Sequence, residues 1–93
     1  MIRSFADKET ERLFATERSR RLPPDIRYRA LAQINRLHAA TSLEDLRSPP
    51  SNRLEPLKGD RTGQWSIRIN PQWRLCFRLV EGEAFDVEII DYH

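Results

Sequence analysis

Gln64-Trp65-Ser66-Ile67-Arg68-Ile69-Asn70-Pro71-Gln72-Trp73-Arg74-Leu75-Cys76-Phe77-Arg78-Leu79 is the stretch whose pattern fixes the architecture. Trp65, Ile67 and Ile69 alternate with Ser66 and Arg68, the period of a half-buried strand in which successive side chains point to opposite faces. Asn70-Pro71-Gln72 has the composition of a turn. Beyond it Trp73, Leu75, Phe77 and Leu79 form a second inward set, with Arg74, Cys76 and Arg78 outward. Glu81-Gly82-Glu83 reads as another turn, followed by Phe85, Val87 and Ile89 inward and Asp86 and Glu88 outward. Three strands joined by short turns make an antiparallel meander that runs directly into Asp91-Tyr92-His93.

Upstream the period changes from two to between three and four. Asp7 stands where an N-cap belongs, before a helix through Lys8 to Arg18 with a thin apolar stripe. Leu22-Pro23-Pro24 ends that helix, and Pro24 suits the first turn of the next, where the missing N–H is not needed. Ile26, Ala30, Ile34 and Leu37 then share one helical face, with His38 as a structural histidine at its edge. Ile2 to Phe5 reads as a short first strand, Leu43 to Leu46 as one helical turn, and Ser48-Pro49-Pro50-Ser51-Asn52 as a loop. The expected fold is α+β, two N-terminal helices packed on a mostly antiparallel sheet, in a single domain over residues 1–93.

With 93 residues, 39% of them hydrophobic and 32% charged, the chain suits one globular core. No stretch has the length or apolarity of a membrane span, the first residues lack the apolar run of a signal peptide, and Cys76 alone forms no internal disulfide. A soluble, cytoplasmic protein is expected. The formal net charge is only +2, so a role with nucleic acid depends on where the arginines fall.

Strand register constrains that placement, because a one-residue slip would turn a strand inside out. Pairing Ile67 with Leu75 and Ile69 with Trp73 sets Arg68 opposite Arg74. Pairing Leu79 with Phe85 sets Arg78 opposite Asp86 and Arg74 opposite Ile90. Arg78 thereby gains an acid, whereas Arg68 and Arg74 meet as like charges, at a cost of about 0.2–1 kcal/mol. Either both side chains splay into water or a phosphate lies between the two guanidinium forks. Lys58, in Leu57-Lys58-Gly59-Asp60-Arg61-Thr62-Gly63, lies just before the first strand, where a loop can bring it over the same face.

Other chemistries lack support. Gly59 and Gly63 are not followed by the Gly-Lys-Ser/Thr of a phosphate-cradling loop, and His38, Cys76 and His93 have no metal-ligand spacing, so no metal or cofactor is expected. Cys76 reads as packing. Asp91, Tyr92 and His93 offer a carboxylate, a phenol and an imidazole that titrates near neutral pH. Beside a basic patch, these suit phosphodiester transfer in RNA, where the 2′-hydroxyl is the nucleophile and the protein supplies a base, an acid and cations.

Leu57-Lys58-Gly59-Asp60, Gln64 to Asn70, Trp73-Arg74-Leu75-Cys76-Phe77 and Val87-Glu88-Ile89-Ile90-Asp91-Tyr92-His93 together resemble the HigB branch of the RelE superfamily of bacterial toxins, also called plasmid maintenance killer proteins. The resemblance runs from the helix start at Asp7 to His93. It implies a microbial-ribonuclease-like fold, metal-independent cleavage of mRNA in the ribosomal decoding site, and neutralisation by a HigA-like helix-turn-helix antitoxin. It also implies that Lys58, Arg68 and Arg74 hold the scissile phosphate while Asp91, Tyr92 and His93 handle protons and substrate. One departure stands out: some relatives carry a histidine shortly before the lysine, where Asn52-Arg53-Leu54-Glu55 has none. Glu55 either takes that histidine's place at the substrate or is a surface acid. Two readings follow, a ribosome-dependent endoribonuclease and a non-catalytic binder, the latter an RNA-binding module or a gyrase-inhibiting toxin of the same superfamily. The titrating terminus favours the enzyme.

Overall fold

The computed structural model describes residues 1–91, so Tyr92 and His93 lie outside the described residues. Two helices, α1 (Lys8–Thr16) and α2 (Pro24–Ala39), precede four strands, β1 (Glu55–Pro56), β2 (Trp65–Arg68), β3 (Trp73–Val80) and β4 (Glu83–Asp91). The strands form one antiparallel sheet in the order β1-β2-β3-β4. Both helices pack on one face, where Leu13, Ala30, Ile34 and Leu37 meet Ile67, Leu75, Phe77, Val87 and Ile89. This is the expected architecture, with β1 as an added strand that its two residues were too few to signal.

The helices follow their predicted starts. Asp7 occupies the N-cap of α1 but makes no capping hydrogen bond; its carboxylate pairs with Arg21 at 3.3 Å instead. The helix ends at Thr16, two residues before the expected end, because Glu17 turns left-handed and donates its N–H to Leu13 O. Pro24 begins α2 as expected, and Ala30, Ile34 and Leu37 are buried with Gln33, whose amide the apolar pattern did not place there. His38 is structural: Nδ1 accepts the Ile2 N–H at 3.1 Å and the ring lies against Phe14. Leu43–Leu46 is the expected turn, in 3-10 form.

Ile2 to Phe5 does not form a full strand. Its backbone meets β4 in parallel bridges at Ile2–Ala84 and Phe5–Val87. Further along β4, the hydroxyl of Thr10 accepts the Ile89 N–H and Arg21 donates to Ile89 O. An edge strand's unpaired backbone groups are thus met one after another by the N-terminal segment and α1.

The first hairpin has the expected register, Ile67 with Leu75 and Arg68 with Arg74. Asn70 Oδ1 accepts the N–H groups of both Gln72 and Trp73, which closes the three-residue turn. In the second hairpin the far end pairs as expected, Arg74 with Ile90, but Leu79 pairs with Ala84, not Phe85. The turn is shorter than Glu81-Gly82-Glu83: Val80 pairs with Glu83 around Glu81-Gly82, both at positive φ, the two-residue turn that suits strand twist. The odd residue is absorbed in a bulge at Asp86, φ 55°, whose N–H binds Ser4 Oγ. Ala84 consequently takes the fully buried place expected of Phe85, which is half-buried.

Candidate functional site

The sheet's second face is not solvated as the alternation alone implied: Ser66, Arg74 and Cys76 are all buried. Residues 53–64 fold back over it, through β1 and a 3-10 turn at Gly59–Arg61. Gly59 and Gly63 both take positive φ, and this conformation, not a phosphate cradle, is their use. From that turn Arg61 reaches across to β4, donating to Glu88 Oε1 at 2.8 Å and to Gln64 Oε1 at 3.1 Å. The Glu88 bond raises the Arg61 pKa further and fixes its charge. Cys76 lies opposite Glu88, and burial pushes its thiol up to about 11 although Arg61 pulls the other way. A thiol so raised is a packing group at neutral pH, as the sequence suggested.

Arg74 is only 8% exposed and is held in place. Nε donates to Ser66 Oγ at 2.8 Å, and Nη2 donates to Arg53 O at 2.6 Å and to Ser66 O at 3.4 Å. Arg53 sits in the left-handed region, φ 46°, which turns its carbonyl toward the guanidinium. Glu55 Oε2 lies 3.9 Å from Arg74 Nη2, so a carboxylate does stand beside this arginine. A guanidinium carries five donors, and burial against fixed acceptors leaves its fork in one orientation.

Next to this anchor is a cavity of about 460 Å³ lined by Glu55, Pro56, Leu57, Lys58, Arg61 and Ile90. Ile90 is the cross-strand partner of Arg74. Glu55 is thereby brought to Arg74, and Lys58 shares with it the wall of the cavity beside Arg74's cross-strand partner. Arg61 joins them as a second cation at the cavity wall, and sequence reasoning missed it. The signal was present in the two glycines that bracket Asp60-Arg61-Thr62, which mark a turn able to swing an arginine over the sheet.

The remaining candidates separate. Arg68 is opposite Arg74 but lines a different cavity, with Arg29, Arg36 and Asn52. Asp91 pairs with Trp73, and strand alternation puts it on the helix-side face while Ile90 faces the Lys58 cavity. Its Oδ2 accepts from Gln72 Nε2 at 3.3 Å. Tyr92 and His93, assigned to proton chemistry from the sequence, are outside the described residues. Arg78 pairs with Asp86 at 3.0 Å despite the register shift, because the bulge holds Asp86 within reach.

Comparison with known proteins identifies the family. Residues 3–93 match the family model of HigB-like toxins, described as the RelE-like toxin of the type II toxin-antitoxin system HigB. The chain is 39% identical over 87 residues to Toxin HigB-1 of Vibrio cholerae, covering 92% of each chain. It is 33% identical over 93 residues to Endoribonuclease HigB of Proteus vulgaris, covering 100% of both. Among solved structures, a point variant of YafQ from E. coli superposes with a TM-score of 0.65 at 14% identity, over 98% of this chain and 91% of that one. That last likeness speaks for the fold alone. The chain belongs to the HigB-like family of RelE-like toxins of type II toxin-antitoxin systems.

Proposed function

We propose that this toxin is an endoribonuclease that cleaves mRNA on the ribosome without a metal, acting in the cytoplasm and silenced by a helix-turn-helix antitoxin. The observation that carries the reading is the meeting of Lys58, Arg61 and Glu55 at one cavity beside the buried Arg74. The Proteus vulgaris relative, named an endoribonuclease, supports it over the full length of the chain.

Chemically, the 2′-oxygen attacks the adjacent phosphorus as a base takes its proton. The bond from phosphorus to the 5′-oxygen breaks, leaving a 2′,3′-cyclic phosphate, and an acid protonates the departing oxygen. Charge accumulates on the phosphorane oxygens, and Arg74, Lys58 and Arg61 are the cations to meet it. Glu55, within reach of Arg74, is the carboxylate at this cavity that accepts the 2′-hydroxyl proton. Tyr92 and His93, with Asp91, supply the acid and hold the substrate. Arg68, opposite Arg74 across β2 and β3, meets RNA beyond the scissile phosphate.

Primer extension on mRNA from cells briefly expressing the chain tests this reading. Cuts at defined positions within translated codons, absent with Lys58→Ala, are the expected result. Growth arrest with intact mRNA would favour the non-catalytic binder.

A further inference from the structure

A second cavity, of about 400 Å³, lies between α2, the Pro50–Asn52 turn and the end of β2, and among the described residues neither Lys58, Arg61, Glu55 nor Arg74 lines it. Three arginines line it, Arg29, Arg36 and Arg68, and among the described residues no acidic side chain does. Among the described residues none of the three belongs to an ion pair; the pairs formed by arginines are those of Arg3, Arg21, Arg47, Arg61, Arg74 and Arg78. Three like charges at the wall of one concavity favour an anion within it.

The floor of the cavity is built to hold one of these cations still. Arg36 Nη1 donates to Gln33 Oε1 at 3.2 Å and to Asn52 Oδ1 at 3.0 Å. Gln33 Nε2 in turn donates to Asn52 Oδ1 and to Arg68 O, and Asn52 Nδ2 donates to Leu46 O. Gln33 and Asn52 are both buried. The amides are thus spent on orienting Arg36, whose Nε and Nη2 keep no partner among the described residues. A small residue, Ala32, leaves the space between Arg29 and Arg36 open.

We propose that this cavity binds a phosphodiester group of RNA other than the scissile one. The position favours RNA over an acidic protein segment: Arg68 is the cross-strand partner of Arg74, so one strand pair links the two basic sites. Fork-shaped donors around an open cavity suit a phosphate's several oxygens. The inference rests on the RNA-cleavage reading. The phosphate belongs either to the flank of the substrate strand or to structured ribosomal RNA, and the two sources separate in binding.

The full chain is compared with the double variant Arg29→Gln/Arg68→Gln, which leaves Arg36 and its amide network in place. Affinity is measured across a range of salt for a short single-stranded RNA, blocked from cleavage by 2′-O-methylation, for mRNA-free ribosomes, and for polyglutamate as an acidic polypeptide. Loss of one phosphate contact lowers the slope of log K against log salt by about 0.7 on a single strand and weakens low-salt binding by about tenfold. A loss on the oligonucleotide assigns the phosphate to the substrate strand; a loss on ribosomes alone assigns it to ribosomal RNA. Unchanged slopes on both while the full chain binds, or a loss confined to polyglutamate, overturn the cavity's assignment and leave the cleavage reading standing. Failure of the full chain to bind either RNA overturns both.

Discussion

Arg74 Nε lies 2.8 Å from Ser66 Oγ, a hydrogen bond buried between β2 and β3. It joins two side chains of the same sheet face that the alternation places outward and the fold covers. Ser66→Ala removes the acceptor but not the charge. The expected outcome is a fall in kcat of about 10- to 100-fold with KM nearly unchanged, because misplacing a catalytic group affects the transition state more than binding. Steady-state cleavage kinetics read the split. Equal kcat values would show that the guanidinium is oriented without Ser66 Oγ.

Arg74→Ala and Arg78→Ala should diverge. Arg74 is buried among Ser66, Arg53 O and Glu55, so its loss abolishes cleavage and, by stranding buried polar groups, lowers stability by about 1–3 kcal/mol. Arg78 pairs with Asp86 in solvent, each about half exposed, so its loss changes stability by less than ~1 kcal/mol and leaves cleavage intact. Arg74→Lys separates the two effects of Arg74, since it keeps charge and most packing but not the fork. Denaturant melts and cleavage assays on all three variants check the ordering; similar losses in Arg74→Ala and Arg78→Ala would contradict it.

The parts of the fold that were legible in the sequence are those with a strict local period. The Asn70 turn and the strand pattern on either side of it fixed Arg68 opposite Arg74, and the helix face of α2 was visible in Ala30, Ile34 and Leu37. The bulge at Asp86 was not, because one residue entering the left-handed region leaves no mark in the alternation of Phe85, Asp86 and Val87. Nor was the burial of Arg74, since it depends on residues 53–64 folding back over the sheet, and that segment has no period. Lys58 could be guessed from its place before β2; for Arg61 the flanking glycines mark only the turn, not the contact with Glu88 27 positions away.

Acid should weaken the fold through two surface carboxylates. The Thr41 N–H and hydroxyl bound to Asp45 lower its pKa, and the Arg3 guanidinium beside Glu83 lowers that one, with help from the N-terminal amine. Folded values below unfolded ones mean that the stabilisation is complete above the ordinary carboxylate range and lost as pH falls through it, below about pH 4. Between pH 6 and 3, thermal melts of Asp45→Asn and Glu83→Gln should therefore show a smaller acid-induced drop than the full chain. An identical drop would mean that these groups titrate alike in both states.

Removing His93 separates proton chemistry from folding. The described core ends at Ile89, so a chain ending at Tyr92 should keep its melting temperature within a few degrees and still bind ribosomes through its basic groups. If the imidazole supplies the acid, cleavage falls by about 10²–10⁴-fold. Full cleavage by the shortened chain would move the acid to Tyr92 or Asp91.

The decisive experiment replaces one nucleotide. Purified ribosomes are loaded with an mRNA that carries either a ribonucleotide or a 2′-deoxynucleotide immediately 5′ of the mapped cut, and both are treated with the full chain. Attack by the 2′-oxygen, assisted by Glu55, Lys58, Arg61 and Arg74, predicts a 2′,3′-cyclic phosphate on the ribonucleotide and no cut at the deoxynucleotide. Equal cutting of both messages would contradict the proposed chemistry and require water or a protein group as the nucleophile.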